Sequence, residues 1–84
     1  ARYERMKKVL ISETKNSTLL DVGCGYGAFL EYLEKQNIVV AYEGIDIVEE
    51  MINIAGNRHP EKKFSHGNFL DLTFDKTFDY VVCN

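Results

Sequence analysis

Apolar residues in this chain follow two alternating rhythms. Between residues 2 and 13, Tyr3, Met6, Val9 and Leu10 recur at helical spacing with Arg5, Lys7 and Lys8 between them. That pattern predicts an amphipathic packing helix, and residues 14–17, TKNS, read as a polar turn. Leu19 and Leu20 then run into Asp21 and Val22, the look of a short strand buried on both faces. Three glycines on alternate positions follow, Gly23, Gly25 and Gly27. Helical spacing resumes at once: Phe29, Leu30 and Leu33, with Tyr32 beside them, oppose Glu31, Glu34 and Lys35. The spacing predicts a helix over 28–36 that stops at Asn37.

The alternation repeats downstream. Residues 38–46, IVVAYEGID, predict a second buried strand ending in an acid. A second helix is expected over 48–58, with Ile47, Met51, Ile52 and Ala55 as its apolar face, Glu49 and Glu50 in its first turn and Gly56-Asn57 at its end. His59-Pro60 makes a turn, residues 63–66 a short third strand, and residues 78–83, FDYVVC, a fourth. Strands alternating with helices in this way indicate βαβ crossovers and a parallel sheet, an α/β architecture. Residues 67–77 break the rhythm, being too short and too irregular for a helix.

Two right-handed crossovers in succession place both helices on one face of the sheet. The strands nevertheless read as buried on both sides, so a cover for the opposite face is expected from another part of the protein or by self-association. An 84-residue chain allows one small domain. It stops directly after the apolar run Tyr80–Cys83, and residues 1–84 read as the N-terminal part of a larger domain, inactive as a fragment.

Composition narrows the classes little. The net charge is −3 and the basic pairs Lys7-Lys8 and Lys62-Lys63 are isolated, so charge does not indicate nucleic acid. No apolar run reaches the roughly 20 residues that span a membrane, and no signal-peptide core is present. Two cysteines, Cys24 and Cys83, make no disulfide framework, which favours a cytoplasmic location. His59 and His66 stand on turns at no metal-ligand spacing and read as surface residues.

The chemistry concentrates in the second element. A strand, a glycine turn and a helix N-terminus in that order form a ligand-binding device, because backbone N–H groups without partners converge where the helix opens. Gly23-x-Gly25-x-x-Ala28 satisfies a dinucleotide fingerprint, with Asp46 as a ribose partner, so a nicotinamide-dependent oxidoreductase is one reading. Against it stands Asp21, an acid two residues before the first glycine. The set TLLDVGCGYG, then GID one βα unit later, then HGNFLDL, then FDYVV, resembles the class I S-adenosylmethionine-dependent methyltransferases. The resemblance runs from Leu19 to Cys83, and its first motif is complete as Asp21, Gly23, Gly25 and Gly27.

The resemblance implies a Rossmann-like three-layer fold with a mainly parallel sheet in the order 3-2-1-4. It also implies S-adenosylmethionine as methyl donor, S-adenosylhomocysteine as product and a methyl acceptor, a small molecule in the first reading. Asp21 would favour the cofactor's ammonium group, and Gly23, Cys24, Gly25 and Gly27 its methionine portion. The alternative for Asp21 is a carboxylate bonded to turn N–H groups. Asp46 would take the ribose hydroxyls, or else cap the following helix. Ile47 would lie against the adenine ring, or pack in the core. Asn68, where the family commonly has an Asp, would accept from the adenine amino group, with the N–H of Phe69 beside it and Asp71 as a rival. Cys83 would line the methionine end through its backbone. Asn84 is compatible with the first letter of an Asn-Pro-Pro-Tyr motif, which would mean an amino-group methyltransferase acting on nucleic acid or protein. A cofactor-binding subunit without chemistry of its own is a third reading. No residue is nominated as a catalytic base or metal ligand, and in this family acceptor recognition lies mostly beyond the fourth strand.

Overall fold

β1, Thr18–Val22, lies at the centre of the sheet, as its short apolar run requires. The computed structural model describes residues 17–72 and 77–84. The helix expected over 2–13, most of the turn after it and part of the break at 67–77 lie outside the described residues. In order, the elements after β1 are α1 (Ala28–Lys35), β2 (Ala41–Asp46), α2 (Glu49–Arg58), β3 (Lys63–His66), a 3-10 turn (Phe69–Asp71) and β4 (Tyr80–Cys83). All three strand pairings are parallel and the order is β3-β2-β1-β4, as the resemblance implies.

Register decides which residues share a face. Leu19 pairs with Tyr42 and Tyr80, and Asp21 with Gly44 and Val82, so these residues, with Phe64 beside Gly44, occupy one face. On that face Leu19 and Tyr42 pack with Phe29, Leu30 and Leu33 of α1 and with Ile38 and Val40. α2 adds Ala55, which is fully buried. Both helices sit together: Arg58, the last residue of α2, makes an ion pair with Glu31 of α1 at 2.9 Å. The opposite face is not bare at its centre, where Leu20, Glu43 and Ile45 are buried. Towards β4 it opens, with Val81 half exposed and Cys83 exposed.

Helix ends follow from local chemistry. After Gln36, Asn37 takes the left-handed conformation at φ 59°. Its N–H bonds to Glu34 O at 3.1 Å and that of Ile38 to Leu33 O at 3.0 Å, the paired bonds of a Schellman stop. Asn tolerates that conformation better than most residues with a Cβ, so Asn37 is the stop that the sequence indicates. The stop also shortens β2. Residues 38–40 leave the helix as a connector with Val39 exposed, and the strand begins only at Ala41. Gly56-Asn57 does not end α2, which continues to Arg58 with His59 as its cap.

Two side chains use the space that Gly44 leaves. A Cβ at this position would lie 2.8 Å from the Phe64 ring and 2.9 Å from Cys24 Sγ. The glycine turn and β3 therefore meet over β2 because one residue has no side chain. Gly44→Ala is expected to destabilise the protein by about 1–3 kcal/mol through overpacking. Denaturant unfolding of the two proteins checks this, and equal stabilities would mean that Phe64 and Cys24 can move apart freely.

Candidate functional site

Every strand delivers its carboxyl end to the same edge of the sheet, where open α/β sheets bind ligands. Val22 pairs with both Ile45 and Cys83, and Asp46 pairs with His66, so the ends are level. Backbone bonds stitch the loops together. Gly23 and Cys24 N–H both donate to Ile45 O at 2.8 and 3.1 Å, Gly67 N–H to Asp46 O at 2.9 Å, and Asn84 N–H to Val22 O at 2.9 Å. Gly23 is tied closest: its added Cβ would come within 2.9 Å of Asn84 O.

Asp21 ends fully buried beneath this edge. Its Oδ2 accepts from the Tyr42 hydroxyl at 2.6 Å, and its Oδ1 accepts from the Asn84 side-chain amide. A buried carboxylate needs such donors to offset the water it has lost. Side chains from β2 and from the residue after β4 thus help to hold it. Tyr42 was not singled out in the sequence. Its only signals are a position two residues before Gly44, on the face of the sheet that Asp21 shares, and a buried acid in want of a donor.

Asp46 links the glycine turn to the start of the next helix. Its Oδ2 accepts from Gly25 N–H at 2.9 Å, and its Oδ1 from Val48 N–H at 2.8 Å. Each oxygen keeps a second lone pair for a further donor. The side chain is only half-buried, so that capacity faces the loops. Above Gly25 there is room, because a Cβ placed on it meets no atom within 4 Å. Gly25 and Gly27 both have positive φ, 56° and 100°, conformations that glycine adopts without strain. Gly27 is the N-cap of α1 and supplies no side-chain bond to the helix's first N–H groups.

Electrostatics give this turn a sign. Burial, then the charges of Asp21 and Asp46, push the Cys24 thiol from 9.0 up to about 12, against a smaller opposing effect of its own backbone hydrogen bond. Cys24 is therefore a thiol at neutral pH and packs as a small apolar group. The same two carboxylates favour a cationic ligand over the turn and disfavour a pyrophosphate.

The remaining expected residues gather less tightly. Ile47 is 69% exposed at the strand ends, not packed in the core. Asn68 is exposed and turned onto its own loop, where Oδ1 accepts from Leu70 N–H at 3.0 Å and caps the 3-10 turn. Phe69 opens that turn half-buried and Asp71 closes it exposed. Cys83 is exposed, level with Val22. His66 is exposed, as expected, but it is the last residue of β3 and not a turn residue. His59 is not a surface residue: it is buried, and its Nε2 lies 2.9 Å from Glu31 Oε2. Its ring fills the space beside Gly27, where a Cβ would meet Nε2 at 3.2 Å. Arg58 stacks over the Tyr26 ring at 4.7 Å and bonds Glu31, so the helix ends brace the turn from behind. Partial burial works against ionisation of Glu31, but the His59 bond and the Arg58 charge outweigh it and hold its carboxyl below the ordinary range. No helix among the described residues is long and apolar enough to cross a membrane.

Residues 19–84 match a family model described as a methyltransferase domain. The chain is 35% identical over 69 residues to a dTDP-3-amino-3,6-dideoxy-alpha-D-glucopyranose N,N-dimethyltransferase of Streptomyces fradiae, covering 82% of this chain and 26% of that protein. It is 34% identical over 74 residues to a fatty-acid O-methyltransferase of Mycolicibacterium smegmatis, covering 84% of this chain and 27% of that protein. The chain thus spans about a quarter of the length of these curated relatives. Its fold superposes at a TM-score of 0.77 and 28% identity on a SAM-bound amino pentose methyltransferase of Micromonospora echinaspora, covering 99% of this chain and 35% of that one. With its motifs, parallel sheet and level strand ends all in agreement, the chain belongs to the class I S-adenosylmethionine-dependent methyltransferase family.

Proposed function

We propose that this domain binds S-adenosylmethionine at the carboxyl ends of its strands and that the protein carrying it methylates a small-molecule acceptor. The observation that carries this reading is the pair of carboxylates flanking the glycine turn, Asp21 buried under it and Asp46 bonded to Gly25 N–H. A donor with ammonium and sulfonium charges suits that negative field, whereas the phosphates of a nicotinamide cofactor would be repelled. The relatives named for sugar amines and a fatty acid support a small-molecule acceptor.

Each residue then has a task. Asp21, fixed by Tyr42 and Asn84, faces the ammonium group directly or through water. The turn from Gly23 to Gly27, with Cys24 packed beneath it, makes room for the methionine portion, and the opening of α1 offers N–H groups to its carboxylate. Asp46 uses its spare lone pairs on the ribose hydroxyls while it continues to clip Gly25 and Val48. Ile47, exposed at the strand ends, covers the adenine ring, and Asn68 with the Phe69 N–H addresses the adenine edge. Cys83 lines the methionine end through its backbone. The cofactor, when bound, supplies an activated methyl group, and the chain's part is to hold it oriented and dry for in-line transfer. The Asn84 amide is directed at Asp21, which supports a cofactor-side task for this residue over that of an acceptor-binding motif.

Calorimetric binding of S-adenosylhomocysteine to the intact protein tests the reading, and it predicts saturable binding at one site. Asp46→Ala should weaken that binding by about 1–3 kcal/mol, the cost of leaving buried hydroxyls without a partner. An unchanged dissociation constant would restrict Asp46 to clipping the turn. Gly25→Val places a branched side chain in the open space above the turn and should weaken binding further than the Asp46 change. Thermal unfolding measured in parallel separates lost affinity from lost fold. Normal binding by the Gly25 variant would refute the placement of the cofactor over this loop.

A further inference from the structure

Behind the glycine turn, on the side away from the strand ends, three side chains with metal-ligating atoms meet. A ring nitrogen of His59 and one carboxylate oxygen from each of Glu34 and Glu61 lie within 4.8 Å of one another. The histidine side chain is 9% exposed, and its Nε2 is held by Glu31 Oε2 at 2.9 Å. Metal-binding histidines are commonly oriented in this way, one ring nitrogen donating to a carboxylate while the other ligates. With Nε2 bearing the proton for Glu31, Nδ1 keeps the ring's lone pair for a ligand. Glu31 is not one of the three, so this orienting bond is a separate observation from their proximity.

The surroundings suit a dication. Arg58 is already engaged with Glu31 and Tyr26, which leaves Glu34 and Glu61 without an ion pair among the described residues. Both glutamates are exposed, and binding requires their oxygens to close from within 4.8 Å to the roughly 3.4 Å mutual spacing of a tetrahedral set at ~2.1 Å from the metal. Both carboxylates face solvent, which leaves them open to an ion.

We propose that Glu34, His59 and Glu61 bind a zinc-type divalent cation, with solvent in the fourth position, as a structural clamp between α1 and the turn after α2. Imidazole and carboxylate together suit zinc better than magnesium or calcium, which favour all-oxygen sets. Because the His59 ring fills the space beside Gly27, the ion would also fix the support of the cofactor turn. It would hold shape and take no part in methyl transfer.

The test is titration of the intact, metal-stripped protein with zinc alone against a chromophoric chelator, with thermal unfolding in parallel. One equivalent should bind, and the melting temperature should rise with zinc and not with magnesium. E34Q and E61Q, both surface changes away from the cofactor edge, should each weaken zinc binding by more than about tenfold. S-adenosylhomocysteine binding by those variants without zinc should stay unchanged, which makes failure of the zinc site distinguishable from failure of the cofactor site. Absent or non-stoichiometric binding, or binding equal in wild type and both variants, would overturn the proposal.

Discussion

The burial of Asp21 is the constraint on which the rest of this structure depends. A carboxylate with no exposed surface at the end of the central strand would be unstable without donors. Those donors come from elsewhere in the chain: the Tyr42 hydroxyl from β2 and the Asn84 amide just beyond β4. Satisfying one residue therefore ties both neighbouring strands to β1 at a defined level. That level fixes the strand ends, and the strand ends make the edge where the loops meet. At the other end of the same strands, Thr18 and Asp79 exchange hydrogen bonds between Thr18 N–H and the Asp79 carboxylate and between Asp79 N–H and the Thr18 hydroxyl, each at 2.9 Å. β1 and β4 are thus fastened top and bottom by polar groups, with apolar pairs between them.

The glycine turn sits on this frame through its backbone and through Asp46. Gly23 and Cys24 share the Ile45 carbonyl, and Gly25 bonds the Asp46 side chain, so three consecutive residues of the turn lean on the end of β2. An Asp46 that served the ribose alone, or the helix alone, would not account for the Gly25 bond. One side chain placing turn, helix start and spare lone pairs together explains why the acid stands at a strand end and not within α2. Gly44 is the steric counterpart, because its missing side chain admits Cys24 and Phe64 to the same spot.

What was legible in the sequence were features carried by local pattern. The apolar run at 19–20, the alternate glycines, the helical spacing after them and the acids closing two strands each report a neighbour within a few residues. The sheet order followed once those pieces were matched to a family, and with it the edge where the strand ends gather. Residues 38–40 misled because β-branched and apolar residues suit a connector packed under a helix end as well as a strand, and Val39 faces solvent. Tyr42 on Asp21 and His59 on Glu31 were illegible for another reason. Each is a contact between elements, 21 and 28 residues apart in the chain, and such a contact depends on register and crossover geometry that no local spacing encodes.

His59 shows how far that limit reaches. In sequence it stands before the only proline, where a polar turn residue on the surface is the ordinary reading. In the fold, α2 ends by bringing its cap against the start of α1, and the imidazole becomes the filler between Gly27 and Phe64. A smaller residue would leave a void under the glycine turn, and a larger apolar one would leave Glu31 with Arg58 alone. The ring meets both needs at once, packing with its face and bonding with its edge. The geometry of the glycine turn is therefore set from two sides, by carboxylates at the strand ends and by an aromatic base behind the helix start.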